Sequence, residues 1–154
     1  MLLFRLLLVF FIFETDAIRH FSKKLYRTIV TGKLTCKYRP RGAYTLLVME
    51  GSPSFENGQI LFERHLQYGF DILAIASTYS YKKPKMFVKI IHSCNNNIYS
   101  KQKVFIEGIN QTFIKRVKSY RLLRHQAKFN LGNTELSNYP GLYLSRYMKR
   151  RASE

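Results

Sequence analysis

The residues that could carry chemistry in this chain are four histidines and two cysteines. Metal sites and general acid–base sites need such side chains at close, recurring spacings, as in CxxC pairs or paired histidines. The histidines are widely separated along the chain, at His20, His65, His92 and His125. Cys36 and Cys94 have no companion CxxC or paired histidine motif. We therefore predict no catalytic residue, no metal ligand set and no cofactor, and we do not expect an enzyme.

The first seventeen residues have the order of a secretory signal peptide. Arg5 precedes an unbroken apolar run at 6–13, and a polar stretch then ends in the small residue Ala17. Eight apolar residues at helical rise span about 12 Å, whereas the hydrocarbon core of a bilayer is roughly 30 Å thick, so no transmembrane segment is predicted. We expect cleavage after Ala17 and a secreted, extracellular protein that can associate with the cell surface. A buried N-terminal strand is the alternative interpretation, but it does not explain the order of charge, apolar run and small residue.

The remaining chain is predicted to form one globular domain at 18–140, followed by a basic tail at 141–154. It has the size of one domain with one core. Cleavage removes one of the 26 basic and two of the 9 acidic residues, so the net charge rises from +17 to +18. The aromatic content of 15% is typical of a packed domain rather than of a disordered basic tail.

Cys36 and Cys94 are predicted to form a disulfide. In an oxidising secretory route, a single pair of cysteines has one possible intramolecular connectivity. The chain-entropy model gives about 4 kcal/mol of stabilisation for closing a loop of this length. The alternatives are a pair of buried thiols or a metal site, and the lack of a companion CxxC or paired histidine motif argues against the metal site.

Two clusters of basic residues are the strongest indication of a binding function. The first consists of Lys115, Arg116, Lys118, Arg121, Arg124 and Lys128, and the second of Arg146, Lys149, Arg150 and Arg151. Both are expected to face solvent. Outside the cell such clusters attract acidic phospholipid head groups, sulfated glycans and acidic proteins, with a strength that salt screens. We predict an extracellular anionic surface or protein as the partner, and the alternative is a solvated face that keeps the protein soluble.

Nucleic acid is the partner that the same charge would indicate for an intracellular protein, because aromatic side chains near Lys and Arg can stack on bases. The predicted signal peptide argues against it, so no nucleic acid is expected. A cationic host-defence protein is a further alternative, although such proteins are usually smaller or richer in disulfides.

Asn110, Gln111 and Thr112 form a glycosylation sequon, since the middle residue is not proline. We predict Asn110 as the acceptor in an exported chain. The alternative is a polar turn that carries no glycan.

The elements that must position these residues are predicted to be short β-strands. Apolar side chains recur with period two, and clusters of Gly, Pro and Asn separate the runs. Strands are predicted at 30–36, 43–50, 59–63, 70–76, 86–94, 104–107 and 129–136, with a tyrosine-rich connection at 77–84. The stretch 112–128 fits a helical stripe as well as a strand and loop. The pattern predicts an all-β, two-sheet antiparallel sandwich, with a closed barrel as the alternative.

Three blocks of sequence resemble nematode transthyretin-like proteins. VTGKLTC at 30–36, with Pro40 and LVME at 47–50, is similar to the opening of that family. FVKIIHSCN at 87–95 resembles its strand that ends in His, a polar residue, Cys and Asn. FNLG at 129–132, followed by Glu135 and Leu136, is similar to its closing strand. LQYG at 66–69 lacks the family's usual acidic residue, and the family commonly has more cysteines, so the chain resembles a divergent member.

The resemblance implies a secreted protein with a transthyretin-type β-sandwich and one short helix between strands. Most members of the family lack an assigned activity. Hydroxyisourate hydrolases on this scaffold use His and Arg residues and a C-terminal Tyr-Arg-Gly-Ser run, which is absent from the tail SRYMKRR at 145–151. We therefore expect a non-enzymatic extracellular binding protein, with a hydrolase or a small-ligand carrier on the same scaffold as alternatives.

Overall fold

The computed structural model describes residues 22–53, 58–95, 102–118, 126–139 and 142–143. The predicted signal peptide at 1–17 lies outside these residues. Within the described part of the chain, no helix is long and apolar enough to cross a membrane.

Nine β-strands make up the described structure. They are β1 (Lys24–Thr35), β2 (Ala43–Glu50), β3 (Gln59–Gln67), β4 (Asp71–Ser80), β5 (Met86–His92), β6 (Lys103–Ile109), β7 (Lys115–Arg116), β8 (Phe129–Glu135) and β9 (Leu142–Tyr143). Short 3₁₀ turns follow β6 at Gln111–Phe113 and β8 at Leu136–Asn138. The predicted all-β, two-sheet sandwich is confirmed.

The first sheet is built around β1. β4 pairs with one edge of β1, and β7 and then β8 pair with the other edge. The β1–β8 pair is parallel, so this sheet departs from the antiparallel pattern that was predicted. The second sheet has the order β3-β2-β5-β6-β9 and is antiparallel throughout. β9 lies just beyond the predicted domain boundary at 140 and pairs with the start of β6.

Several strands are longer than their apolar pattern indicated. β1 begins at Lys24, six residues before the prediction, and β4 continues to Ser80 through the stretch that was predicted as a connection. These two extensions pair with each other, and their side chains toward the core include Thr28 and Thr78. Polar residues in buried positions hide the alternation of apolar and polar side chains, and this is why the sequence pattern missed these strand halves.

The ambiguous stretch 112–128 contains only the end of a 3₁₀ turn and the two-residue strand β7 within the described residues. β7 was not predicted because two residues are too few to show a period. Elsewhere β3 extends to Gln67, and β5 ends at His92 rather than at residue 94.

The core lies between the two sheets, which a disulfide links at one end. Val30 and Leu34 of β1 pack with Leu46, Val48 and other buried residues of the second sheet. Cys36 and Cys94 are bonded, with their Cα atoms 5.6 Å apart, which confirms the predicted pair. The bond joins the end of β1 in one sheet to the chain just after β5 in the other.

Candidate functional site

The first three basic residues of the first predicted cluster lie on or just after β7, along one edge of β1. Lys115 is opposite Arg27 in the ladder, and Arg116 is opposite Tyr26. The Val117 amide donates a hydrogen bond of 2.8 Å to the carbonyl of Leu25. Backbone pairing with β1 therefore fixes the positions of Lys115, Arg116 and Lys118 at this edge of the sheet.

Lys128 lies beside the same edge of β1. The side-chain amide of Gln126 donates a hydrogen bond of 2.9 Å to the carbonyl of Arg27. Phe129 then begins β8 opposite Val30. Lys128, between these two anchored residues, is exposed, as are Lys115, Arg116 and Lys118. The other predicted binding residues, Arg121, Arg124, Arg146, Lys149, Arg150 and Arg151, lie outside the described residues.

The opposite edge of β1 adds basic residues that sequence reasoning missed. Lys24 lies opposite Ser80, the last residue of β4, and the exposed Lys82 and Lys83 follow shortly after. The Lys23 ammonium lies 5.6 Å from the centre of the Tyr81 ring, a cation–π distance. The pairings of β1 with β4, β7 and β8 bring these four distant segments together. We call the whole set the basic surface; its residues are Lys23, Lys24, Arg27, Lys82, Lys83, Lys115, Arg116, Lys118 and Lys128.

Charge compensation near the basic surface is small. Arg27 donates from Nε to the hydroxyl of Ser77 at 3.0 Å, which holds the guanidinium against β4 without neutralising it. Glu50 lies at this end of the sandwich, where its carboxylate accepts a 2.6 Å hydrogen bond from Thr78. Among the described residues, the basic surface forms no ion pair. An uncompensated set of like charges raises the local concentration of anions.

A shallow groove of about 500 Å³ lies at the far end of β1, on the outer face of the first sheet. It forms where the β1–β8 register shifts between Thr31 and Lys33. Lys33 and Asp71 are opposite each other in the ladder and both line the groove. Because a carboxylate stands beside the ammonium, this groove is less suited to an anion than the basic surface is.

The two described histidines lie on opposite faces of the second sheet. His92 faces the core, where its Nδ1 accepts a 3.2 Å hydrogen bond from the Cys94 amide. Burial, with a smaller effect from the charge of Lys103, lowers the pKa of His92 to about 4, so the ring is neutral at pH 7. His65 is exposed, with Nδ1 2.8 Å from the hydroxyl of Thr45. His20 and His125 lie outside the described residues.

Two buried tyrosines line the core beside His92. The rings of Tyr44 and Tyr68 are 5.3 Å apart, and Tyr44 lies opposite His92 in the β2–β5 ladder. Burial raises the pKa of each phenol to about 12. The phenols therefore stay protonated at neutral pH and cannot serve as bases there. Across the described ranges, no group of His, Cys, Asp and Glu residues is arranged to hold a metal ion.

The sequon lies in an exposed turn after β6. The side-chain oxygen of Asn110 accepts hydrogen bonds from the amide and the hydroxyl of Thr112, at 2.9 and 3.0 Å. Asn110 and Thr112 are both exposed, so an enzyme could reach the acceptor amide. Glycosylation of Asn110 stays a prediction.

No protein-family model matches the chain, and no characterised protein matches it at a significant level. The resemblance to transthyretin-like proteins therefore rests on the three sequence blocks alone.

Proposed function

We propose that this protein is a secreted, non-enzymatic member of the transthyretin-like family that binds an anionic extracellular partner through the basic surface. The observation that carries the proposal is the gathering of cations from four separate segments, 23–27, 82–83, 115–118 and Lys128, along β1. The proposed partner is an acidic lipid surface, a sulfated glycan or an acidic protein.

The physical support is electrostatic. Strands in one sheet lie roughly 5 Å apart, so the pairing of β4, β1 and β7 brings the cations of β1, of β7 and of the segment that follows β4 close to one another, and we call them an array. Such an array attracts an extended polyanion more strongly than isolated surface lysines do, since several of its charges interact with the same anion. The described members of the array have no acidic partner that would compete. Salt should weaken the attraction, because these charges are exposed to solvent.

Different features support the proposed family membership and the proposal that the protein is not an enzyme. A two-sheet β-sandwich is the fold that the sequence resemblance implies, and the disulfide suits an exported chain. A hydrolase on this scaffold would need His and Arg side chains in one pocket. The described histidines are instead divided between the core and the outer face of the second sheet.

The binding test uses reversal of the three positive charges on and just after β7. We expect Lys115→Glu, Arg116→Glu and Lys118→Glu, combined in one variant, to weaken binding to heparin or to vesicles containing phosphatidylserine. A basic residue near an anionic lipid surface contributes roughly 1 kcal/mol. Loss of three should therefore lower affinity about 100-fold, as measured by calorimetry or by co-sedimentation with vesicles.

The matched control places the same change in net charge elsewhere. Lys37, Arg41 and Arg64 are exposed and lie outside the basic surface. Reversing these three to Glu should reduce affinity far less than reversal on β7. Equal losses in the two variants would show that binding follows net charge alone, and no binding by the unaltered protein would refute the proposed function.

Export is tested by the intact mass of protein from the medium of a secretory eukaryotic cell. We expect a chain that begins at Ile18, with the mass of two protons missing for the disulfide. Treatment with glycosidase should remove any glycan on Asn110. A product that stays inside the cell and retains Met1 would contradict export and make nucleic acid the leading partner.

A further inference from the structure

β4 is a long edge strand with a regular backbone. It pairs with β1 over ten consecutive positions without a register shift. In the part of the chain that the structure describes, no strand pairs with its other side. The backbone N–H and C=O groups on that side can therefore accept another strand.

The outer face of β4 exposes a row of apolar side chains. Leu73, Ile75 and Tyr79 are 59%, 46% and 64% exposed, and they alternate with inward residues such as Ala74 and Ala76, which are fully buried. Exposed apolar side chains in a row on one strand form a patch that water solvates poorly. A partner strand laid beside β4 would cover part of this row.

β4 also lacks the features that usually prevent edge pairing. Edge strands are commonly protected by Lys, Pro or a bulge. The only charged residue of β4 is Asp71, at its first position, and the strand contains no proline. β3, the edge strand of the second sheet that lies beside β4, differs: Glu63, Arg64 and His65 are exposed on it, and its pairing with β2 contains a register shift.

We propose that β4 pairs antiparallel with β4 of a second copy of this chain, so that two sandwiches share one continuous sheet. Antiparallel pairing of a strand with itself has two-fold symmetry and places residues of the same face opposite each other. The row of Leu73, Ile75 and Tyr79 would therefore continue across the interface. Two-fold symmetry also brings Asp71 of each copy near Lys82 and Lys83 of the other.

The charge of the chain favours this edge over others. With a net charge of +17, two copies repel each other across most of their surface. β4 is ten residues long and contains no basic residue, so pairing along it brings few like charges together. The proposal can be tested separately from the anionic partner, because it depends mainly on backbone pairing and apolar contact, and only Lys82 and Lys83 are shared with the basic surface.

The test measures oligomeric state by sedimentation velocity on the secreted, mature protein over a range of concentrations. We expect a reversible monomer–dimer equilibrium. Ile75→Lys should raise the dimer dissociation constant at least tenfold, because it places two lysines on the shared face close to the two-fold axis. Leu73→Lys should act in the same direction and serves as the second variant if Ile75→Lys lowers the thermal midpoint.

The matched control is Ile60→Lys on β3, an edge strand of the second sheet. Ile60 is 52% exposed, similar to Ile75, so the two substitutions have comparable cost for folding. Ile60→Lys should leave the dimer intact. A wild-type protein that is monomeric at every soluble concentration would overturn the proposal, and so would equal weakening by Ile60→Lys and Ile75→Lys.

Discussion

At the scale of single residues, the carboxylate of Glu135 holds two distant pieces of chain together. It accepts hydrogen bonds from the Thr35 hydroxyl at 2.8 Å, the Lys37 amide at 2.9 Å and the Ser137 hydroxyl at 2.7 Å. Partial burial raises its pKa, but the hydrogen bonds from Ser137, Lys37 and Thr35 together outweigh that effect and lower the pKa to about 2. Glu135 thus fixes the end of β8 against the end of β1, next to the disulfide.

Glu135 should contribute to stability in a pH-dependent way. Its pKa is lower in the folded state than its usual 4.5, so the contribution is present above about pH 4.5 and is lost as the pH falls toward 2. We expect Glu135→Gln to lower the free energy of unfolding at pH 7 and to differ little from wild type at pH 2.5. Urea unfolding at the two pH values measures this; a constant difference would contradict it.

His92 should control stability in a higher pH range. Its pKa is lowered from 6.5 to about 4 by burial, so the unfolded chain binds a proton more readily between these values. Stability is therefore full above pH 6.5 and falls as the pH drops toward 4. His92→Gln keeps an acceptor near the Cys94 amide but does not titrate. Its thermal midpoint should change less between pH 7 and 5 than that of wild type, and equal slopes would exclude this role.

The contacts of single residues could be predicted only where residue type and number were enough to identify the partner. The pairing of Cys36 with Cys94 followed from there being only two cysteines. The network around Glu135 could not be foreseen, since it joins residues almost a hundred positions apart and acidic residues on strands are common.

At the scale of elements, Gly32 shows how two strands can approach closely. It lies in β1 at the register shift with β8 and has a positive φ of +148°. A Cβ atom there would lie 2.8 Å from the Cβ of Leu131. Glycine is therefore needed both for its backbone conformation and for the approach of β8.

Gly32→Ala is expected to destabilise the fold more than a glycine substitution that affects the backbone alone. Gly69 provides the control, because its φ is +84° and a Cβ there would contact nothing within 4 Å. Gly69→Ala should cost about 1 kcal/mol of backbone strain, and Gly32→Ala should cost more because strands must also shift. Chemical denaturation would measure both, and equal losses would show that the approach of β8 is not tight.

Strand positions could be predicted where apolar residues alternate, as in β2, whose predicted limits agree with the structure. They could not be predicted where threonines and tyrosines occupy core positions, as in the first half of β1. The parallel pairing of β8 with β1 could not be predicted either, because the alternation of apolar and polar residues does not indicate whether a neighbouring strand runs parallel or antiparallel.

At the scale of the whole molecule, the disulfide joins the two sheets. It closes a loop of 58 residues, for which the chain-entropy model gives about 4 kcal/mol. Replacing both cysteines by alanine should lower the free energy of unfolding by about that amount, as measured by guanidinium denaturation. Reduced wild-type protein serves as the control and should be similarly destabilised. An unchanged midpoint in the double variant would contradict this role.

The basic surface is also a property of the whole molecule. Sequence reasoning found its β7 members because Lys115, Arg116 and Lys118 are neighbours in the chain. It missed Lys24, Arg27 and Lys82, because only the pairing of β1 with β4 and β7 brings them close. A charge pattern in sequence thus indicated the class of partner, whereas the surface that would meet the partner required the fold.

The most direct test of the anionic-partner proposal is a map of amide chemical shifts during titration of the mature protein with a heparin oligosaccharide. We expect the largest changes at residues 23–27, 82–83 and 115–118, and we expect them to diminish as salt is raised. Changes centred on residues 37–41, or no change at any of these positions at low salt, would contradict the proposed binding surface.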